Sequence, residues 1–223
     1  MFYPQAKINL HHLKSNLEYI ASLSYPSKVL PVIKANAYGH GYSELLKTFI
    51  DLTISTVCVA TYEEIISILN YGSKLEVLHL GKIYLDKRVC KGNIIFTINS
   101  IEDISYINNF CKHSNILIRC HIKVDTGMSR MGCRIEDFDK LLEATLKSKF
   151  IKLEGIYSHL SCSDDPSSIM NIKQINEFEN LRNKLQDSDI KYHLLNSGGL
   201  LNFPNHSFDF VRIGLSIYGV SPN

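Results

Sequence analysis

Thr56–Gly81, TVCVATYEEIISILNYGSKLEVLHLG, reads as one strand–helix–strand unit. Thr56–Thr61 is a short apolar, β-branched run of the kind that lies buried on both faces of a parallel sheet. Tyr62–Asn70 carries apolar residues at helical spacing and stops near Gly72. Leu75–Gly81 is a second apolar strand. The same alternation extends both ways. Upstream, Ala6–Leu10 reads as a short strand, Leu13–Leu23 as a helix with Leu13, Leu17 and Ile20 on one face, Val29–Ile33 as a strand and Tyr42–Leu52 as a helix. Downstream come a short helix Tyr84–Cys90, a strand Asn93–Asn99 and a helix from an N-cap at Ser100 to about Cys111. A strand Ile116–Val124, a helix Ile135–Lys147 and a strand Leu153–Leu160 follow, then a long amphipathic helix Ser167–Gln186. Strands Tyr192–Ser197 and Phe210–Tyr218 complete the series. Eight strands from Val29 onward, alternating with helices, predict an α/β fold, a (β/α)8 TIM-type barrel in one domain over residues 1–223. A doubly wound sheet is the competing arrangement, and it usually has fewer strands at this length.

Composition narrows the function. The 223 residues are 45% hydrophobic and 21% charged with a net charge of +2, and lysine and arginine are scattered. No basic stripe suited to nucleic acid is present. No apolar run reaches membrane-spanning length, and MFYPQAKINL has no leader pattern, so a cytoplasmic location with no membrane partner is expected. The six cysteines form neither CxxC pairs nor zinc-ligand spacings, which predicts reduced thiols and no metal site.

In a barrel of this type the catalytic groups sit at the C-terminal ends of the strands. Lys34 ends the strand VLPVI and is followed by the small residues Ala35, Asn36, Ala37, Gly39 and Gly41, which let a backbone turn tightly and let a ligand approach closely. A lysine in that place is partly desolvated, which favours a nucleophilic amine able to form a Schiff base, although a strand-end lysine also commonly reaches out to solvent. Arg130 follows the strand Ile116–Val124, His159 ends Leu153–Leu160, Ser197 precedes Gly198–Gly199, and Arg212 and Gly214 lie in the last strand. Ser197–Gly199 and the backbone near Gly214 suit a phosphate, or serve simply as turns. Lys123, on an apolar strand, needs a partner or a modification to be tolerated.

The motifs VLPVIKANAYGHG, HIKVDTGMSRMG, GIYSHLSCSD, LLNSGG and FDFVRIGLSIYG, in this order, resemble the pyridoxal-phosphate barrel domain of bacterial alanine racemases. The resemblance runs over essentially the whole chain. It implies pyridoxal 5'-phosphate bound to Lys34, which also acts as one of two catalytic bases, and alanine as substrate. Tyr38, Ser197, Gly214 and Leu215 match phosphate contacts, His159 the residue packed on the pyridine ring, and Arg212 the partner of the pyridine nitrogen. Asn196 is expected to support Arg212. Arg130 matches the group that meets the cofactor phenolic oxygen and the substrate carboxylate, and Lys123 a lysine carbamylated in many members. The second base of the family is a tyrosine of a C-terminal β domain, donated across a homodimer interface; no residue up to Asn223 matches it, and the chain stops where that domain would begin. Ser129 stands where glycine is usual, and Ile213 where proline is usual. A non-enzymatic pyridoxal-phosphate carrier and another Schiff-base barrel enzyme, such as an aldolase, are the alternative readings.

Overall fold

A computed structural model of the chain describes residues 6–72, 74–114, 116–185 and 189–222. The elements run α1 (Leu10–Ser24), β1 (Lys28–Pro31), α2 (Lys34–Tyr38), α3 (Ser43–Asp51), β2 (Thr56–Val59), α4 (Tyr62–Asn70) and β3 (Glu76–His79). Then follow β4 (Ile94–Ile98), α5 (Ile101–Cys111), β5 (Ile118–Asp125), β6 (Cys133–Arg134), α6 (Phe138–Lys147), β7 (Ile151–Tyr157), α7 (Ile169–Asn183), β8 (Lys191–His193), α8 (Ser197–Asn202) and β9 (Phe210–Ile213). All strand pairs are parallel, in the order β1-β9-β8-β7-β5-β4-β3-β2. The two ends of that order meet through a Val32–Cys58 bridge, where the Ile33 amide donates to Cys58 O at 2.9 Å. The expected eight-stranded barrel is therefore the fold.

The pleat sorts each strand's residues between two layers. Val57, Val77, Phe96, Ile122, Ile156 and Val211 point outward and pack under the helices in the main core. Leu30, Val32, Cys58, Leu78 and Ile95 form a separate apolar cluster inside the barrel, all from β1 to β4 or their immediate ends. The alternate positions on the other half of the barrel are polar: Arg119, His121 and Lys123 on β5, Tyr157 at the end of β7, His193 on β8 and Arg212 on β9. The barrel interior is thus divided into an apolar half and a polar half, and the polar half opens at the C-terminal strand ends.

Several expectations are revised. Ala6–Leu10 is not a strand: the Asn9 side chain accepts from the His11 and His12 amides and starts α1 there, so cap chemistry outweighs the β pattern. Tyr84–Cys90 forms no α-helix; a single 3-10 turn occupies Val89–Lys91 after the Asp86 carboxylate takes the Arg88 and Val89 amides. Ser100 sits at the N-cap of α5 without a side-chain cap bond, and Asp103 instead accepts from the Asn99 amide at 2.8 Å. Tyr192–Ser197 and Phe210–Tyr218 shorten to β8 and β9 because α8 and a 3-10 turn at Leu215–Tyr218 begin directly behind them. The two-residue strand β6 was not anticipated. The expected helix end at Gln186, the first five residues and Asn223 lie outside the described residues. Among those described, no helix is long and apolar enough to cross a membrane.

Candidate active site

The C-terminal ends of the strands surround a cleft of about 520 Å³. It is lined by every residue the sequence singled out: Lys34, Tyr38, Lys123, Arg130, His159 and Arg212, with Asn196, Ser197, Gly214 and Leu215. They arrive from five strand ends, those of β1, β5, β7, β8 and β9, so the barrel brings together groups as far apart in sequence as Lys34 and Leu215.

Lys34 opens α2, and this turn is left-handed. Ala35, Asn36, Ala37 and Tyr38 have φ of 52°, 51°, 57° and 53°, a conformation that costs an L-residue on the order of 1–2 kcal/mol. Gly39 and Gly41 follow with φ of 84° and 90°, where glycine carries no such penalty. The turn carries the Tyr38 phenol to the last strand: a Cβ on Gly214 would lie 2.5 Å from Tyr38 Oη, so any larger residue there would displace the phenol. The Gly214 and Ser216 amides point at Ser197 Oγ, at 3.2 and 3.4 Å. One spot therefore gathers a phenol, a hydroxyl and two amides around a glycine, a donor set suited to a phosphate.

Arg212 lies across the floor of the cleft and is only 3% exposed. Its Nη1 donates to His193 Nδ1 at 2.6 Å, and its Nη2 to Ser158 O at 2.6 Å, Leu194 O at 3.1 Å and His159 Nδ1 at 3.2 Å. Its Nε–H has no hydrogen-bond partner among the described residues. An arginine has only donors, so His193 must accept at Nδ1 and carry its proton on Nε2. That nitrogen faces His121 Nδ1 at 2.9 Å. Tyr157 stacks on His193, with centroids 4.7 Å apart and planes 6° apart, and its hydroxyl bonds to Thr97 Oγ1 at 2.9 Å. These contacts fix the guanidinium in one orientation.

The site is rich in positive charge. Burial, then Arg130 and Arg212, push the Lys123 ammonium down to about 8 against the opposing pull of Asp125. Lys123 is 5% exposed and has no hydrogen-bond or ion-pair partner among the described residues. Burial, followed by the charges of Arg212, Arg130, Lys123 and Lys34, holds His159 well below its ordinary value, so its ring is neutral. Arg130 is exposed on the loop after β5, which Asp125 Oδ1 gathers by accepting from the Gly127 and Ser129 amides at 2.9 and 3.0 Å. A cleft with this surplus of cations and donors is built for an anionic ligand.

Asn196 has a different task from the expected one. Its Oδ1 accepts from the Gly199 amide at 2.9 Å and caps α8, and the hydrogen bonds of Arg212 go elsewhere. The sequence reading missed Tyr157, His121 and His193, whose signal is polar residues at every second position of otherwise apolar strands. It also missed the polar buried side of α7. Gln174 donates to Thr126 Oγ1 and His159 O and accepts from the Ser161 amide, while Asn171 donates to Cys162 O and Asp165 O. These two side chains secure the loop after β7, and they make the inner face of α7 less apolar than amphipathic patterning suggests.

The family described as alanine racemase, N-terminal domain, matches residues 8–222. The alanine racemase of Francisella philomiragia is 35% identical over 220 residues, covering 97% of this chain and 60% of that protein. Among solved structures, alanine racemase of Clostridium difficile 630 superposes with a TM-score of 0.87 at 32% identity, over 97% of this chain and 58% of that one. Alanine racemase of Bartonella henselae with covalently bound pyridoxal phosphate superposes at 0.85 and 28% identity, over 96% and 63%. The chain thus spans about three-fifths of the length of the relatives it matches, and its barrel aligns throughout. The chain belongs to the alanine racemase N-terminal-domain family.

Proposed function

We propose that the cleft binds pyridoxal 5'-phosphate attached to Lys34 and serves the interconversion of L- and D-alanine. The observation that carries this reading is the convergence of three features. Lys34 stands at the C-terminal end of β1, the Tyr38–Ser197–Gly214 cradle is suited to a phosphate, and Arg212 lines the same cleft with both Nη groups bonded to protein and its Nε–H left over for a ligand. The donors fit the group at both of its polar ends. When bound, the cofactor supplies the electron sink that stabilises the charge left behind as the α-proton departs.

The chain's own residues set the rest. Tyr38, Ser197 and the amides of Gly214 and Leu215 hold the phosphate. Arg212, a permanent cation that can only donate, offers Nε–H to the pyridine nitrogen and leaves it without a proton of its own, which moderates the sink and favours simple proton exchange over transamination. Neutral His159 packs on the ring. Arg130 takes the substrate carboxylate, and Lys34 removes or returns the α-proton on one face. The acid/base of the opposite face is the tyrosine of the family's second domain, which none of these residues matches. Lys123 carries a carbamate whose negative charge faces Arg130. In this reading the working assembly is a homodimer in the cytoplasm, and its D-alanine supplies peptidoglycan synthesis.

The test is spectroscopic and chiral. The chain mixed with pyridoxal phosphate is expected to show a Schiff-base absorption band that Lys34→Ala abolishes. D-alanine incubated with it is expected to yield L-alanine once the opposite-face acid/base is present. A band without exchange under those conditions favours a cofactor carrier, and no band at all defeats the assignment of Lys34.

A further inference from the structure

The left-handed turn that presents Lys34 and Tyr38 is unfavourable for the four residues in it, so something must hold it. Its amides show what does. Ala37 donates to Ile33 O at 2.8 Å and Gly39 to Ala35 O at 2.9 Å, within the turn. The opening amides have no such partner, as at any helix start. Ile33, at the N-cap position, provides no side-chain bond. The acceptors come from outside. Asn36 N donates to Tyr42 Oη at 3.3 Å, and Ala35 N, the amide immediately after Lys34, donates to Glu64 Oε1 at 2.5 Å.

Glu64 belongs to the next βα unit. Its other oxygen, Oε2, accepts from the Ala60 and Thr61 amides at 2.7 and 3.1 Å, and Thr61 Oγ1 accepts from the Glu64 amide in return. Within α4 this is a capping box. The carboxylate therefore caps two helices of opposite hand at once, one oxygen turned to each.

We propose that Glu64 is a positioning residue for Lys34 and Tyr38: it holds the left-handed turn of β1's loop against the start of α4 and so sets where the lysine amine and the phosphate-binding phenol stand. It touches neither the cofactor nor the substrate. The inference deepens the cofactor reading above but rests on geometry that exists without the cofactor, which allows the two to fail separately. Glutamine at this position keeps the size of the side chain but has one acceptor oxygen, so it can satisfy α4 or Ala35, not both.

The experiment compares the full chain with Glu64→Gln, Glu64→Ala and Thr61→Ala. Thr61→Ala removes the reciprocal half of the capping box and leaves the Glu64–Ala35 contact in place. In the cofactor-free proteins, hydrogen exchange is measured at the amides of residues 35–41 and, as an internal reference, in β4 and β5. With pyridoxal phosphate, the rate of borohydride-trapped labelling at Lys34 is followed by peptide mapping. Both Glu64 variants are expected to exchange at least about tenfold faster at 35–41, with the reference strands unchanged, and to be labelled at Lys34 roughly tenfold more slowly, the loss fitting one charge-assisted hydrogen bond. Thr61→Ala is expected to lower the thermal midpoint while exchanging and labelling as the parent does. Unchanged exchange in both Glu64 variants overturns the proposal, as does a Thr61→Ala protein that reproduces both effects, because Glu64 would then act only through α4. If the parent chain itself is not labelled at Lys34, the cofactor reading fails and the exchange comparison alone decides the role of Glu64.

Discussion

Lys123 is the buried cation that most needs an explanation, and its environment makes a two-sided prediction. Its folded value of about 8 lies below that of an unfolded lysine near 10.5. Between those values the unfolded chain holds the extra proton, so stability rises with pH across that window; below about pH 8 the full penalty is present, roughly 3 kcal/mol. Lys123→Met is accordingly expected to stabilise the unmodified chain by roughly 1–3 kcal/mol at pH 7, with the gain shrinking above pH 8 in urea melts. The same depressed value leaves about a tenth of the amine neutral at pH 7. A neutral amine adds to carbon dioxide, forming an N–C bond and releasing one proton, and it exchanges a buried cation for an anion facing Arg130. Carbon-13-labelled bicarbonate is expected to give a carbamate resonance that Lys123→Met lacks; no such signal would remove the modification from the reading. Ser129 makes a simpler case. Its φ of 55° is left-handed, so Ser129→Gly is expected to stabilise the chain by about 1 kcal/mol, seen as a raised thermal midpoint. At this scale the sequence was informative where a motif fixed the neighbours, as at Lys34, Tyr38, Arg130 and Arg212. It was silent on Glu64 and His193, because a glutamate at the third position of a helix and a histidine in a strand are common and their partners lie far away along the chain.

The elements were legible wherever local chemistry and pattern agreed. Helix α4 has the boundaries read from the sequence, because Thr61 and Glu64 form a capping box and Ile65 and Ile68 face the core. The eight barrel strands were found, and all but β5 were drawn too long at their C-terminal ends, where the backbone has already turned into the site. Close approach, which leaves little trace in the pattern, governs β7. A Cβ on Gly155 would lie 2.8 Å from the His121 ring, beside the register shift between Cys120 and His121 that joins β5 to β7. Gly155→Ala is expected to lower stability by about 1–3 kcal/mol, because the ring can move only by giving up His193. Denaturant melts check this, and a melt midpoint equal to the parent's would show that His121 has room to shift.

For the molecule as a whole, the buried histidines carry a stability cost that depends on pH. Burial pushes His79 down to about 4 and His121 down to about 3, and it holds His193 and His159 well below the ordinary value. Burial, then Arg212, keeps His193 neutral, so the interior tolerates these histidines only as uncharged rings, His193 bonded to both His121 and Arg212. Their folded values are depressed, so the stability they allow is fully present above the unfolded value near 6.5 and is lost as pH falls toward the folded values. In that window the unfolded chain binds more protons, and each such histidine contributes about 1.4 kcal/mol of lost stability per pH unit. His79 and His121 together remove roughly 5 kcal/mol between pH 6.5 and 4.5, comparable with the whole stability of a modest domain. The chain is therefore expected to unfold cooperatively between about pH 4 and 5, with far-ultraviolet circular dichroism and urea midpoints falling together. His79 tests the argument cleanly, because its Nδ1 is buried without a partner and its ring meets Phe96 edge-on at 6.1 Å, away from the Arg212 network. His79→Leu is expected to reduce the acid slope by about one proton while costing little at pH 7. An unchanged slope would place the acid sensitivity elsewhere, as in the Glu154 carboxylate, which, against burial, its bonds to Arg119 and Lys152 hold below the ordinary value.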